Sequence, residues 1–163
     1  MRVLIASPFR PEPGQAELDS ALERATESQG HEVDAIRIPF DHDPDALWAQ
    51  LLAFRLTDVS ERVDLLVATG TPCHLLRHPR KVLWLTEHYP WIDDGCTALQ
   101  SLRASDREAC GEATRVFAAS QRLCDRIARS SGRAAELLSP PQHGSWHSVV
   151  AALTEDDRHD SGR

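Results

Sequence analysis

The chain has 163 residues, 41% hydrophobic and 26% charged, which suits one soluble globular domain with a sizeable core. A formal net charge of -7 argues against a binder that gains affinity by neutralising a phosphate backbone, so nucleic acid is not an expected partner. No run approaches the roughly 20 apolar residues of a spanning helix, and the opening MRVLIAS meets Pro8 too early for a signal peptide, so a cytoplasmic protein is expected.

In chain order, residues 2–7 form a short apolar, partly β-branched run that opens into Pro8, Pro11, Pro13 and Gly14, the pattern of a buried parallel strand entering a loop. Leu18, Leu22 and Ala25 recur at helical spacing and Gly30 supplies a stop, which predicts a helix over 15–29. Residues 32–38 alternate as a strand. Asp43 before Pro44 is an N-cap followed by the residue favoured at the first helical position, and Leu47, Trp48, Leu51 and Leu52 give that helix an apolar face to about residue 56. Residues 63–68 and 81–86 are the next strands, flanking a basic turn of Arg77, His78, Arg80 and Lys81 expected to be solvated. Ser105 with Glu108 fits a capping box for a helix reaching residues 110–112. Residues 115–119 are again strand-like. Ser120 caps a helix closed by Gly132, and residues 134–138 form a last strand before Ser139-Pro140-Pro141. Strands alternating with helices imply an α/β fold, a single Rossmann-like doubly wound parallel sheet of about six strands with helices on both faces. A polar break from Gln142 precedes a short helix to residue 153, with Trp146, Val149, Val150 and Leu153 on one side, and residues 154–163 are expected to be a disordered polar tail.

The motifs that bind dinucleotides or nucleoside triphosphates, the hydrolase elbow and the zinc-protease helix are all absent from the sequence. Cys73, Cys96, Cys110 and Cys124 are too far apart for a paired-cysteine metal site and too few for a disulfide scaffold, so reduced, mostly buried thiols are expected. The pairs His74/His78 and His143/His147 have i, i+4 spacing, but Pro72 and Pro79 bracket the first and Gly144 splits the second, which favours surface histidines over a metal site. No metal or cofactor is expected. Trp48 and Trp84 are expected in the core.

Ligands of an open parallel sheet bind beyond the carboxyl ends of its strands. That selects the loop 8–17, the turn 69–74, the segment 87–94 and Ser120. Glu87, His88, Tyr89, Asp93 and Asp94 gather acid, base and aromatic groups where the strand KVLWLT ends, the set that general acid-base work on a hydroxyl needs; a solvated loop with one buried aromatic is the alternative.

Several stretches resemble the N-terminal half of family 4 glycosyltransferases. They are MRVLIASPFRPEPG, then Gly30-His31-Glu32-Val33, His78 to Leu85, Ala104 to Ser120 and Ala135 to Pro141, in order and spacing over residues 1–141. That resemblance implies two facing Rossmann-like domains, the GT-B arrangement, in which the N-terminal one binds the acceptor while the C-terminal one binds the nucleotide sugar and carries two glutamates eight positions apart. Here no two glutamates have that spacing, and no second domain of comparable size is expected after Pro141. Members commonly carry paired glycines after the first strand, where this chain has Gly14-Gln15. They commonly end in a Trp-containing helix that crosses back onto the N-terminal domain, and Ser145 to Val150 resembles it; an arbitrary amphipathic helix sealing the sheet is the alternative.

The expectation is therefore a glycosyltransferase-like, hexosyl-transfer type of domain over residues 1–141 with a returning helix at 142–153. It would hold a sugar or other hydroxyl-bearing acceptor through Gly14, Gln15, Thr71, Tyr89 and Ser120, with His88, Glu87 and Asp93 nearest the chemistry. Activity by the chain alone is not expected. A separate donor-domain protein or a homo-oligomer would complete the site. The competing class is a non-catalytic Rossmann-like binding module or relic, because an acceptor held without a positioned donor gains nothing in rate.

Overall fold

The structure is a computed structural model that describes residues 1–9, 14–40, 44–86, 98–141 and 145–155. Its elements are β1 (Arg2–Pro8), α1 (Gln15–Ser28), β2 (Glu32–Ile38), α2 (Pro44–Leu56), β3 (Leu65–Ala68), a 3-10 turn (Cys73–Leu75), β4 (Lys81–Leu85), α3 (Ala98–Glu112), β5 (Arg115–Ala118), α4 (Gln121–Ser131), β6 (Glu136–Leu137) and α5 (His147–Thr154). The strands form one parallel sheet in the order β2-β1-β3-β4-β5-β6. The expected Rossmann-like α/β fold is what the chain adopts.

Apolar strands buried on both faces explain the near-continuous runs of β1, β3 and β4. Alternate residues supply two cores. Leu4, Ala6, Leu66, Leu83, Leu85 and Val116 meet α2, the 3-10 turn, α3 and α4 on one face. Val3, Ile5, Leu65, Val67, Val82, Trp84 and Phe117 meet α1 and α5 on the other.

That division follows from handedness. The crossovers that step from β2 toward β6 all run over one face, and the single crossover that steps the opposite way, α1, runs over the other, as a fixed right-handed connection demands. One helix cannot cover six strands. The face that α1 leaves open over β4 and β5 is closed by α5, whose Val149, Val150 and Leu153 are buried there. Trp146 stands edge-on to Trp84 at 5.9 Å between ring centroids, and the indole N–H of Trp84 donates to the Leu138 carbonyl at 2.8 Å.

Local signals mostly act where the sequence places them. Ser120 Oγ accepts from the backbone N–H of Leu123, and Gly132 closes α4 in the left-handed region at φ 74°. Three expectations need correction. Ser105 does not cap α3, which begins at Ala98; Asp106, Ala109, Cys110 and Ala113 continue one buried stripe, so Ser105 falls inside the helix. Trp48 is 43% exposed on the outer side of α2, while Trp84 is fully buried. The strand expected over 134–138 is reduced to two paired residues at the sheet edge. Among the described residues no helix is long and apolar enough to cross a membrane, and the three described cysteines are free and buried.

Candidate functional site

The strand order reverses between β1 and β3. Connections leave the carboxyl ends of these two strands in opposite directions, opening the crevice where ligands of such sheets bind. Ser7, at the end of β1, is 1% exposed. Gly14 precedes α1 at φ 103°, a conformation that a glycine adopts freely, and its backbone carbonyl accepts the first helical bond, from Leu18 at 3.0 Å. Gly70 sits so close to β1 that a Cβ would meet Pro8 Cγ at 3.0 Å. Any larger residue there would press on the Pro8 ring, which would have to give by a few tenths of an ångström.

The polar groups here are hydroxyls and one carboxylate. Asp19, on the inner side of α1, is 2% exposed and accepts from Thr69 Oγ1 at 3.4 Å. The Thr86 hydroxyl donates to the Thr69 carbonyl at 3.2 Å, tying the end of β4 to that of β3. Thr71, 5% exposed, has a hydroxyl with no hydrogen-bond partner among the described residues. No Lys or Arg stands among the described residues that end β1, β3 and β4 or open α1, whose first turn instead carries Glu17.

The structure thus brings three of the expected binding residues, Gly14, Gln15 and Thr71, to the two strands that flank the reversal. Ser120 lies at the same carboxyl edge but beyond β5, and its hydroxyl is engaged as the α4 cap. Glu87, His88, Tyr89, Asp93 and Asp94 lie outside the described residues, as does Cys96.

The histidine and lysine expectations are overturned. His74 and His78 are buried, not on the surface. His74 Nε2 is hydrogen-bonded to Asp106 Oδ1 at 2.6 Å, while His78 Nε2 donates to the Val63 carbonyl at 3.0 Å. The His74 imidazole joins the 3-10 turn to α3 through the Asp106 carboxylate, the His78 imidazole ties its turn to the Val63 backbone, and among the described residues no cluster could hold a metal ion. Lys81, expected in a solvated turn, has no exposed surface. Its ammonium donates to the carbonyls of His74 and Leu76 at 3.1 Å and to Glu112 Oε2 at 3.3 Å. Burial pushes Lys81 below its ordinary value against the attraction of Glu112. Burial likewise pushes the Glu112 carboxyl up, but hydrogen bonds and charge from Arg55 and Lys81 outweigh it and hold Glu112 below the usual range.

Two concavities of about 350 and 360 Å³ open at the amino ends of the strands, opposite the crevice. In the first, Arg115 is committed to Glu136, Glu155 and the Ala152 carbonyl, and Arg133 to three backbone carbonyls. These are struts between elements, which makes the carboxyl-end crevice the better candidate. Asp19 and Asp106 escaped sequence reasoning because each looked like a solvated helix residue. The available signal was register: Asp19 falls with Leu22 and Thr26, and Asp106 with Ala109 and Cys110, on the inward side of its helix.

No protein-family model matches this chain, and no curated protein matches it.

Proposed function

We propose that this chain is an acceptor-side, glycosyltransferase-like domain that holds a neutral, hydroxyl-bearing molecule in the crevice between β1 and β3. The observation that carries this reading is the make-up of that crevice. Ser7, Asp19, Thr69 and Thr71 gather there with no cationic side chain among the described residues, and Glu17 occupies the α1 first turn. A helix N-terminus compensated by an acidic residue disfavours a phosphate, whereas hydroxyl and carboxylate groups exchange hydrogen bonds readily with a sugar or polyol. The packing of α5 against the sheet is consistent with the returning helix that the family resemblance implies. Nucleotide-sugar phosphates would then be bound by a separate donor domain. Gln15, in place of a second glycine, supports a holding role over transfer by this chain alone.

Amide chemical-shift mapping tests this directly. Neutral monosaccharides and polyols should perturb Gly14–Glu17 and Thr69–Thr71, and a nucleotide sugar added alone should not. Perturbation confined to the concavities at the amino ends, or binding of the nucleotide sugar in place of every neutral ligand, would refute the reading. Sugar transfer by the isolated chain would show that it is a complete enzyme rather than a holding domain.

A further inference from the structure

On the sheet face covered by α1, β1 presents Val3 and Ile5 and β3 presents Leu65 and Val67. Two residues further along, both runs change character. The pairing of Ala6 with Ala68 brings the next residues, Ser7 and Thr69, side by side, and the hydrogen bond from Thr69 to Asp19 of α1 confirms the face. On β4, Val82 and Trp84 of the same core precede Thr86, whose hydroxyl donates to the Thr69 carbonyl. Alternation of side chains thus carries an apolar face into a row of hydroxyls, Ser7, Thr69 and Thr86, at the carboxyl ends of three neighbouring strands.

Phe9 is the next residue of β1 in that alternation. Its backbone N–H donates to the Ile38 carbonyl at 2.7 Å, so the ladder between β1 and β2 runs one residue past Pro8 and the pleat sends the Phe9 ring to the side of Ser7. The ring belongs to neither core and is 56% exposed. An aromatic surface therefore stands open beside the hydroxyl row, on backbone held by the sheet.

We propose, resting on the acceptor-side reading of this crevice, that Phe9 is the platform on which a pyranose sugar lays its apolar C–H face, so that the site favours a ring sugar over an open-chain polyol. A pyranose carries C–H bonds on its faces and hydroxyls around its edge. The electron-rich face of an aromatic ring attracts the polarised C–H bonds, while the edge hydroxyls exchange hydrogen bonds with the polar row. An apolar wall with a few fixed polar groups is the ordinary make-up of a small-molecule site. Thr71, in the turn that follows β3, adds a buried hydroxyl with no hydrogen-bond partner among the described residues, a group whose bond remains to be made. An open-chain polyol offers no continuous C–H face and must surrender several bond rotations to bind.

Nuclear magnetic resonance titrations of the whole chain with methyl β-glucopyranoside, glucitol and adenosine test the proposal. The pyranoside should perturb Gly14–Glu17 and Thr69–Thr71, its ring C–H protons should shift upfield, and glucitol should bind about tenfold more weakly or less. Phe9→Leu keeps apolar bulk but removes the ring, and should weaken pyranoside binding by about tenfold or more, whereas Phe9→Trp should retain it. Both variants should unfold at the wild-type temperature, because the side chain is solvated. Undiminished pyranoside binding by Phe9→Leu overturns the proposal and leaves the acceptor-side reading standing, as does glucitol binding as tightly as the pyranoside. Adenosine bound at Phe9 in place of the sugar would assign the ring to a nucleobase and overturn it too. A wild-type chain that binds neither pyranoside nor glucitol at the crevice refutes the acceptor-side reading and the platform with it.

Discussion

Removing the Leu153 side chain tests whether α5 is an integral cover of the sheet. Leu153 is 1% exposed and packs with Val149 and Val150 in the core that contains Trp84 and Phe117. Burying three such side chains contributes roughly 1.5–3 kcal/mol each, or about 5–9 kcal/mol for α5 as an upper bound. That rivals the whole stability of a domain, about 5–15 kcal/mol. Leu153→Ala is expected to cost about 2–5 kcal/mol, since neighbours held by the sheet cannot collapse into the space. In urea, with a slope of about 2 kcal/mol/M, the midpoint should fall by roughly 1–2.5 M. Ala151→Ser, on the exposed side of the same helix, should stay within about 0.5 kcal/mol of wild type. Circular dichroism through a urea series measures both. Equal midpoints for the two variants would show that α5 is a loosely attached appendage and that something else covers Trp84.

Lys81→Met keeps the buried stem but leaves the carbonyls of His74 and Leu76 without their donor, and is expected to cost about 1–3 kcal/mol by urea unfolding. Cys110, pushed by burial from an ordinary 9.0 up to about 11, contributes stability that is fully present below pH 9 and is lost as pH rises from 9 to 11. Unfolding midpoints for Cys110→Ala should accordingly fall less steeply over that window than those of wild type, by an amount on the order of 2 kcal/mol. Thr71→Val replaces a buried hydroxyl that lacks a partner with a methyl of similar size, so calorimetry should find the variant as stable as wild type or more so by about 1 kcal/mol. Gly70→Ala brings a Cβ against the Pro8 ring, and the same calorimetry should record a lower melting temperature than wild type.

Sequence periodicity was enough for the sheet, because β1, β3 and β4 are continuous apolar runs between Gly and Pro punctuation, and helices intervene at regular intervals. Caps were legible for the same local reason: Ser120 and Gly132 act on backbone groups within a few residues of themselves. The reach of such signals is short. The Ser105–Glu108 pattern imitates a helix start, yet Ala98–Glu112 is one helix because its inner stripe packs against the core.

The candidate crevice was only partly legible. Loops after β1 and β3 follow from strand order in a parallel sheet, so the stretches 8–17 and 69–74 could be placed at its rim, while Gly14, Gln15 and Thr71 were singled out within them by the family resemblance. Asp19 could not, since a carboxylate on a helix becomes a crevice group only when Thr69 arrives from β3.

By itself, then, the amino-acid sequence determined the alternation of elements, the parallel sheet and the apolar side of α5, all of which depend on neighbours a few positions apart. Tertiary structure decided where the charges went. His74 finds Asp106, and Lys81 finds Glu112 and two carbonyls, across 31 or 32 residues of chain for the side-chain pairs. It also decided that Trp48 would face outward although its spacing matches Leu51 and Leu52, because α2 has more apolar surface than the sheet beneath it can cover. Burial and pairing are properties of which elements meet, and a local pattern of residue types does not encode that meeting.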